Sequence, residues 1–246
     1  MSGIRSILLS RFSINVLLVV LFCVPAHLSP PSHAASTKDK CKSLVRDIIG
    51  SKSSTDVVAV EKGSFVVRRS YTEINRVVFR GRLGRVLTKL RKSGGHWVDM
   101  GAGNGRVQTF YYKKHPDSKM RFTGVGYKLY TGWDGPTGRA VKASGGRYDF
   151  IEGWFTRETA ARIGKVDLIT DAYGIYYYTK PGKELALLDI YISMLKPDGK
   201  IMINADRIIK LDGWNNFLAR HPDIKVMVRE SGELPGVTYI EIIKVK

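Results

Sequence analysis

Trp97-Val98-Asp99-Met100-Gly101-Ala102-Gly103-Asn104-Gly105-Arg106 is the stretch whose reading decides the architecture. A short apolar strand ends in an acid and runs straight into a loop with glycine at every second position. Glycine tolerates the tight turns such a loop needs and leaves bare main chain for a ligand to lie against. Val107, Phe110 and Tyr111 then recur at helical spacing, so the loop opens a helix. Strand, glycine loop and helix make the nucleotide-binding corner of a doubly wound α/β sheet. The dinucleotide fingerprint would need glycine at 106, where Arg106 stands, and this argues against an NAD-dependent oxidoreductase.

Upstream, Ile74, Val78, Leu83, Val86 and Leu90 predict one helix from Tyr71 to Lys92, weakened at Gly81 and Gly84 and ended by Gly94-Gly95. Arg82, Arg85, Lys89 and Lys92 form a basic stripe on it, expected to be a solvated face. Downstream, strands are expected at Arg121–Gly126, Tyr148–Glu152 and Val166–Thr170, with a helix from the N-cap Thr156 to Ile163. A helix at Gly182–Leu195 stops at Lys196-Pro197-Asp198-Gly199, which turns the chain into a fifth strand, Lys200–Asn204. One more helix is expected at Asp212–Arg220. Ile224–Arg229 and Val237–Val245, joined by a short Gly-Pro-containing turn, must pair as a hairpin. The sum is an α/β fold: a Rossmann-like, doubly wound, seven-stranded and mostly parallel sheet with a C-terminal antiparallel hairpin strand.

The first 34 residues read differently. Arg5 and Arg11 are the only charges before Lys38, Val16–Val24 is an unbroken apolar run, and Ser32-His33-Ala34 offers small residues to a signal peptidase. That is the form of a secretory signal peptide (1–34), shorter than the roughly 20 apolar residues of a comfortable membrane span. Export to the periplasm or medium is the expectation, with an uncleaved membrane anchor as the alternative. Residues 35–70 read as an N-terminal extension and 71–246 as the α/β domain. Cleavage removes Cys23 and leaves Cys41 alone, which excludes an internal disulfide. Without Arg5 and Arg11 the chain keeps 38 Lys and Arg against 22 acids, a net +16. Such an excess suits an anionic surface or polymer, or only solubility; outside the cytoplasm nucleic acid is the least favoured partner.

The pattern D-x-G-x-G-x-G at Asp99 to Gly105 resembles the first motif of the class I S-adenosylmethionine-dependent methyltransferases. Val166-Asp167-Leu168-Ile169-Thr170-Asp171 and Leu195-Lys196-Pro197-Asp198-Gly199 are similar to two further landmarks of that family, in the right order. The resemblance covers roughly Tyr71 to Lys246 and implies S-adenosyl-L-methionine as cofactor. It implies that Asp99 accepts a hydrogen bond from the ammonium of the methionine moiety and that Gly101, Gly103 and Gly105, with Asn104 between them, make the floor. Three alternating glycines have no evident packing reason, which supports a ligand role.

Two of the family's usual contacts are replaced. An acid that takes the ribose hydroxyls is expected after the second strand, where Gly126 and Tyr127 stand; an acid for the adenine amine is expected after the third, where Trp154 stands. Tyr127 and Trp154 either line an adapted pocket or fill one. Asp171, at the ligand-collecting edge, and Tyr173 are candidates for catalysis as well as, for Asp171, cofactor binding. Asp171-Ala172-Tyr173-Gly174 is similar to the acid-Pro-Pro-Tyr motif of amino-group methyltransferases but lacks both prolines, so that specificity does not carry over. His96 reads as structural, and the histidines show no metal spacing. The residues therefore support a methyltransferase with an unidentified small-molecule or protein acceptor, or a noncatalytic exported relative that binds an anionic partner.

Overall fold

The computed structural model describes residues 70–103, 105–126, 139, 143, 147–204, 208–232 and 238–245. The chain divides into two units, Met1–Ser54 and Thr55–Lys246, and every described residue belongs to the second. The expected signal peptide and nearly all of the extension lie outside the described residues, as do Asn104 and Tyr127. No described helix is long and apolar enough to cross a membrane.

Described strands run β1 His96–Met100, β2 Arg121–Gly126, β3 Tyr148–Glu152, β4 Val166–Asp171, β5 Leu195–Ile203, β6 Ile224–Glu230 and β7 Thr238–Lys244. They pair in the order β3-β2-β1-β4-β5-β7-β6. Only β7 is reversed, inserted antiparallel between β5 and β6. This is the expected seven-stranded sheet. The helices are α1 Arg82–Ser93, α2 Arg106–Lys114, α3 Arg157–Ile163, α4 Glu184–Met194 and α5 Trp214–Arg220. Strand side chains alternate between faces, and each face buries its own core. Val98, Met100, Ile169 and Ile201 pack with residues of α3, α4 and α5. Trp97, Phe122, Leu168 and Met202 pack on the other face with Leu83, Leu87 and Tyr111.

The helix expected from Tyr71 to Lys92 is two segments. A π-helical segment, Glu73–Val78, comes first, and the chain breaks at Arg80 (φ 45°) and Gly81 (φ 77°) before α1. The break puts Val78 and Phe79, both fully buried, against β7, where Phe79 meets the Tyr239 ring edge-on at 5.2 Å. Asn75 then caps α1 from outside: its Oδ1 accepts from Gly84 N at 2.7 Å. A Cβ at Gly84 would lie 3.0 Å from that amide, which explains the glycine.

The basic stripe is only partly solvated. Arg82 binds the buried Glu241 of β7 through Nε and through Nη2 (2.9 Å), and Arg229 Nε approaches the same carboxylate at 3.2 Å. A buried anion needs such partners, and here they tie α1 to the hairpin. Arg85, Lys89 and Lys92 are exposed as expected.

The fifth strand starts five residues before the expected Lys200. Leu195 pairs with Val166, and the register then jumps so that Leu168 faces Lys200. Lys196–Gly199 is thus a bulge within β5, with Asp198 at φ 62°. A Cβ at Gly199 would sit 2.8 Å from Lys196 O. His96 opens β1 rather than preceding it, and it is structural. Buried, it shares a hydrogen bond with Thr123 Oγ1 at 2.8 Å, and its amide donates to Asp167 Oδ2 at 2.7 Å. Burial first, then the charges of Arg121 and Lys196, push its pKa down to about 4.

Candidate functional site

β1 ends at the sheet's carboxyl edge, and the chain must turn there at once to start α2. Gly101 (φ 81°), Gly103 (φ 53°) and Gly105 (φ 69°) take that turn in the left-handed region, which side chains other than glycine rarely adopt. Gly101 N and Ala102 N both donate to Val125 O, at 2.8 and 3.0 Å, so the loop is tied to the end of β2. Gly105 forms the N-cap of α2, its carbonyl accepting from Thr109 N at 2.9 Å and Oγ1 at 2.8 Å.

A cavity of about 30 Å³ opens beneath this loop, lined by Gly101, Gly103, Asp99 and Thr170 together with Ile74 and Leu83. Its volume is about that of one water molecule. Asp99 is half-buried at its wall. Thr170 Oγ1 donates to Asp99 Oδ1 at 2.6 Å and Gln108 Nε2 donates to Oδ2. Trp97 Nε1 donates to Thr170 Oγ1 at 2.8 Å, so the carboxylate stands at the end of a short relay. Desolvation pushes its pKa up to about 7; the two hydrogen bonds oppose that rise and the charge of Asp171 adds to it. Gln108 Oε1 is buried without a hydrogen-bond partner among the described residues.

Asp171, at the end of β4, lies deeper. It is 1% exposed. Oδ1 accepts from Gly174 N at 2.9 Å; Oδ2 accepts from Tyr176 N at 2.9 Å and from Tyr191 Oη at 2.8 Å. Burial raises its pKa to about 6 against those three donors. Asp171 therefore holds the following loop in shape. Within that loop Tyr173 has φ 59°, a strained conformation for a bulky residue, and its ring stands 6.4 Å from that of Tyr177, which is 66% exposed. Trp154 is half-buried in the turn between β3 and α3, and its carbonyl accepts from Thr159 Oγ1 at 3.3 Å.

Gly101 has a packing reason after all. A Cβ there would lie 2.3 Å from Gly174 Cα, and one on Gly174 would lie 1.7 Å from Met100 O. The loops after β1 and β4 touch through bare backbone, which corrects the expectation that only a ligand explains this glycine. Sequence reasoning also missed Thr170, Gln108 and Tyr191 as partners of the two acids. Each lies far along the chain or inside a helix, and no local pattern marks it.

A glycine loop leaving β1, and a sheet ordered β3-β2-β1-β4-β5-β7-β6 with β7 alone reversed, settle the architecture. It is the doubly wound, seven-stranded sheet that the resemblance to the class I methyltransferases implies. No protein-family model and no curated protein matches the chain. Solved structures to which the chain is similar include the precorrin-6y C5,15-methyltransferase of Geobacter metallireducens, at 20% identity and TM-score 0.44, covering 66% of this chain and 86% of that one. An O-methyltransferase of Bacillus cereus, in complex with SAH, shows 10% identity and TM-score 0.47 over 65% of this chain and 79% of its own. A TehB-like SAM-dependent methyltransferase of Corynebacterium glutamicum shows 17% identity and TM-score 0.46, covering 66% and 86%. Likeness at this level carries no argument about fold or activity, and the architecture rests here on the strand order. No group of three or more His, Cys, Asp or Glu placed to hold a metal occurs among the described residues.

Proposed function

We propose that this protein is an S-adenosylmethionine-dependent methyltransferase acting on an unidentified acceptor, a small molecule or a protein. The observation that carries the reading is Asp99 at the wall of a cavity roofed by the glycine loop, at the ligand edge of the sheet. The cofactor has a cationic end, and an acid held by Thr170 and Gln108 suits it. The cavity takes an ammonium-sized group, and Gly103 and Gly105 leave main chain to support the rest. Gly101 contributes less, because the space beside it belongs to Gly174. When bound, the cofactor supplies an electrophilic methyl group. Of the catalytic candidates, Asp171 acts by holding the loop, and Tyr173 with Tyr177 offers aromatic surface to an acceptor.

A second reading is favoured by the contact between Gly101 and Gly174 and by the missing carboxylate at Gly126: a noncatalytic relative exported through its N-terminal signal, or anchored by it. Its net +16 then serves an anionic surface or polymer. Calorimetric titration of the full chain with S-adenosylmethionine and S-adenosylhomocysteine separates the two. Micromolar binding, lost in Gly103→Trp with the melting curve kept, supports the enzyme. No heat at millimolar ligand leaves the second reading.

A further inference from the structure

We propose that Glu152, at the end of β3, supplies the carboxylate that takes the two ribose hydroxyls, one strand away from where the acid is missing. This rests on the cofactor reading above and adds a binding residue to it. β2 and β3 run parallel with Phe122 opposite Tyr148, Gly124 opposite Phe150 and Gly126 opposite Glu152. Tyr148 and Phe150 pack into the core that holds Trp97 and Phe122. Strand alternation places Glu152 on that same face, which is also the face of Asp99, two residues after Trp97.

Among the described residues the neighbourhood is clear on the side that matters. Gly126 puts no side chain between Glu152 and the glycine loop, and a neighbouring strand is about 4.8 Å away, within a glutamate's reach. Gly153 N donates to Gly126 O at 3.0 Å, so the two strands stay paired to their ends. A Cβ on Gly153 would meet none of the described residues within 4 Å, so these leave space beside Glu152. Asp99 and Asp171 already hold two and three donors. Glu152 is exposed, and it has neither an ion pair nor a hydrogen-bonding side-chain partner among the described residues. A carboxylate with both oxygens open accepts from a vicinal diol bidentately, which neither Gly126 nor Trp154 can do.

Calorimetry on the full chain tests this with S-adenosylhomocysteine and its 2′,3′-dideoxy analogue, on wild type and Glu152→Ala. The expected result is a 10- to 100-fold loss of S-adenosylhomocysteine affinity, roughly one charge-assisted pair, with an unchanged melting curve. The dideoxy analogue should bind both proteins equally and weakly, so that the cycle closes on the diol. Equal S-adenosylhomocysteine affinity for both proteins, or the same dideoxy penalty in both, overturns the role of Glu152 and leaves the cofactor reading standing. No binding by wild type at millimolar ligand overturns both.

Discussion

β1 and β4 lie side by side, β4 ending in Asp171 and β1 carrying Asp99 one residue before its end, yet the two carboxylates have different surroundings. Asp99 is half-buried, holds two side-chain donors and borders a cavity. Asp171 is enclosed and holds two backbone amides and a tyrosine hydroxyl. Both are pushed above the ordinary carboxylate range by burial, so an altered pKa alone does not distinguish a ligand site from a structural one. The number and kind of donors differ: Asp171 is held mainly by backbone N–H groups of the loop it shapes, and Asp99 by two side chains at a cavity wall.

The strongest test of that contrast removes the enclosed acid. Asp171→Ala leaves two amides and the Tyr191 hydroxyl without their acceptor and should cost about 4 kcal/mol of folding stability, read from urea midpoints. A loss under about 1 kcal/mol would mean that the loop does not depend on it. Gly101→Ala, which drives a methyl into Gly174, should cost about 3 kcal/mol by the same measurement. If it folds as well as wild type, the contact between the two loops is not tight.

Protonation separates the acids from His96 at the opposite edge. His96 has a folded pKa below its unfolded value, so its contribution is full above pH 6.5 and fades as pH falls toward about 4, by about 3 kcal/mol. Asp99 and Asp171 are raised, so in the folded state they keep protons that the unfolded chain releases. Their contribution is full below pH 3.8 and is lost as pH rises, to about 6 for Asp171 and about 7 for Asp99. Between pH 6.5 and 7 the falling part left is that of Asp99. Asp99→Asn should therefore flatten thermal stability there, whereas an unchanged slope would assign it to another group. The same variant should weaken S-adenosylhomocysteine about tenfold at pH 8, and wild-type affinity should rise with pH through about 7 as the carboxylate ionises. Smallest of all is Tyr177→Ala, an exposed ring whose removal should change folding by less than about 0.5 kcal/mol. Any larger change would make the ring part of the loop's support.

Strands were the legible part of this chain. Arg121–Gly126 and Tyr148–Glu152 fall where apolar runs and flanking turns place them, because those signals are local. The segment before β1 was not legible, since its apolar spacing suits one helix. What breaks it is the demand of Phe79 for the ring of Tyr239, 160 residues away. Gly199 announces a turn, but whether the turn ends a strand or bulges within one depends on Val166 across the ladder. Asp99 and the glycines could be located from spacing. That Gly101 faces a second glycine, or that Thr170 and Gln108 hold Asp99, depends on contacts no window of sequence contains.

By itself the sequence determined the order of strands and helices, the place of the glycine loop at the end of β1, and the absence of an acid at Gly126. Alternation, glycine spacing and helix periodicity act over a few residues, so a linear reading captures them. Tertiary structure alone decided which acid borders a cavity, which glycine serves packing, and that Glu152 stands in register with the empty position. Those are matters of adjacency between strands, and the ladder, not the chain, sets which residues become neighbours.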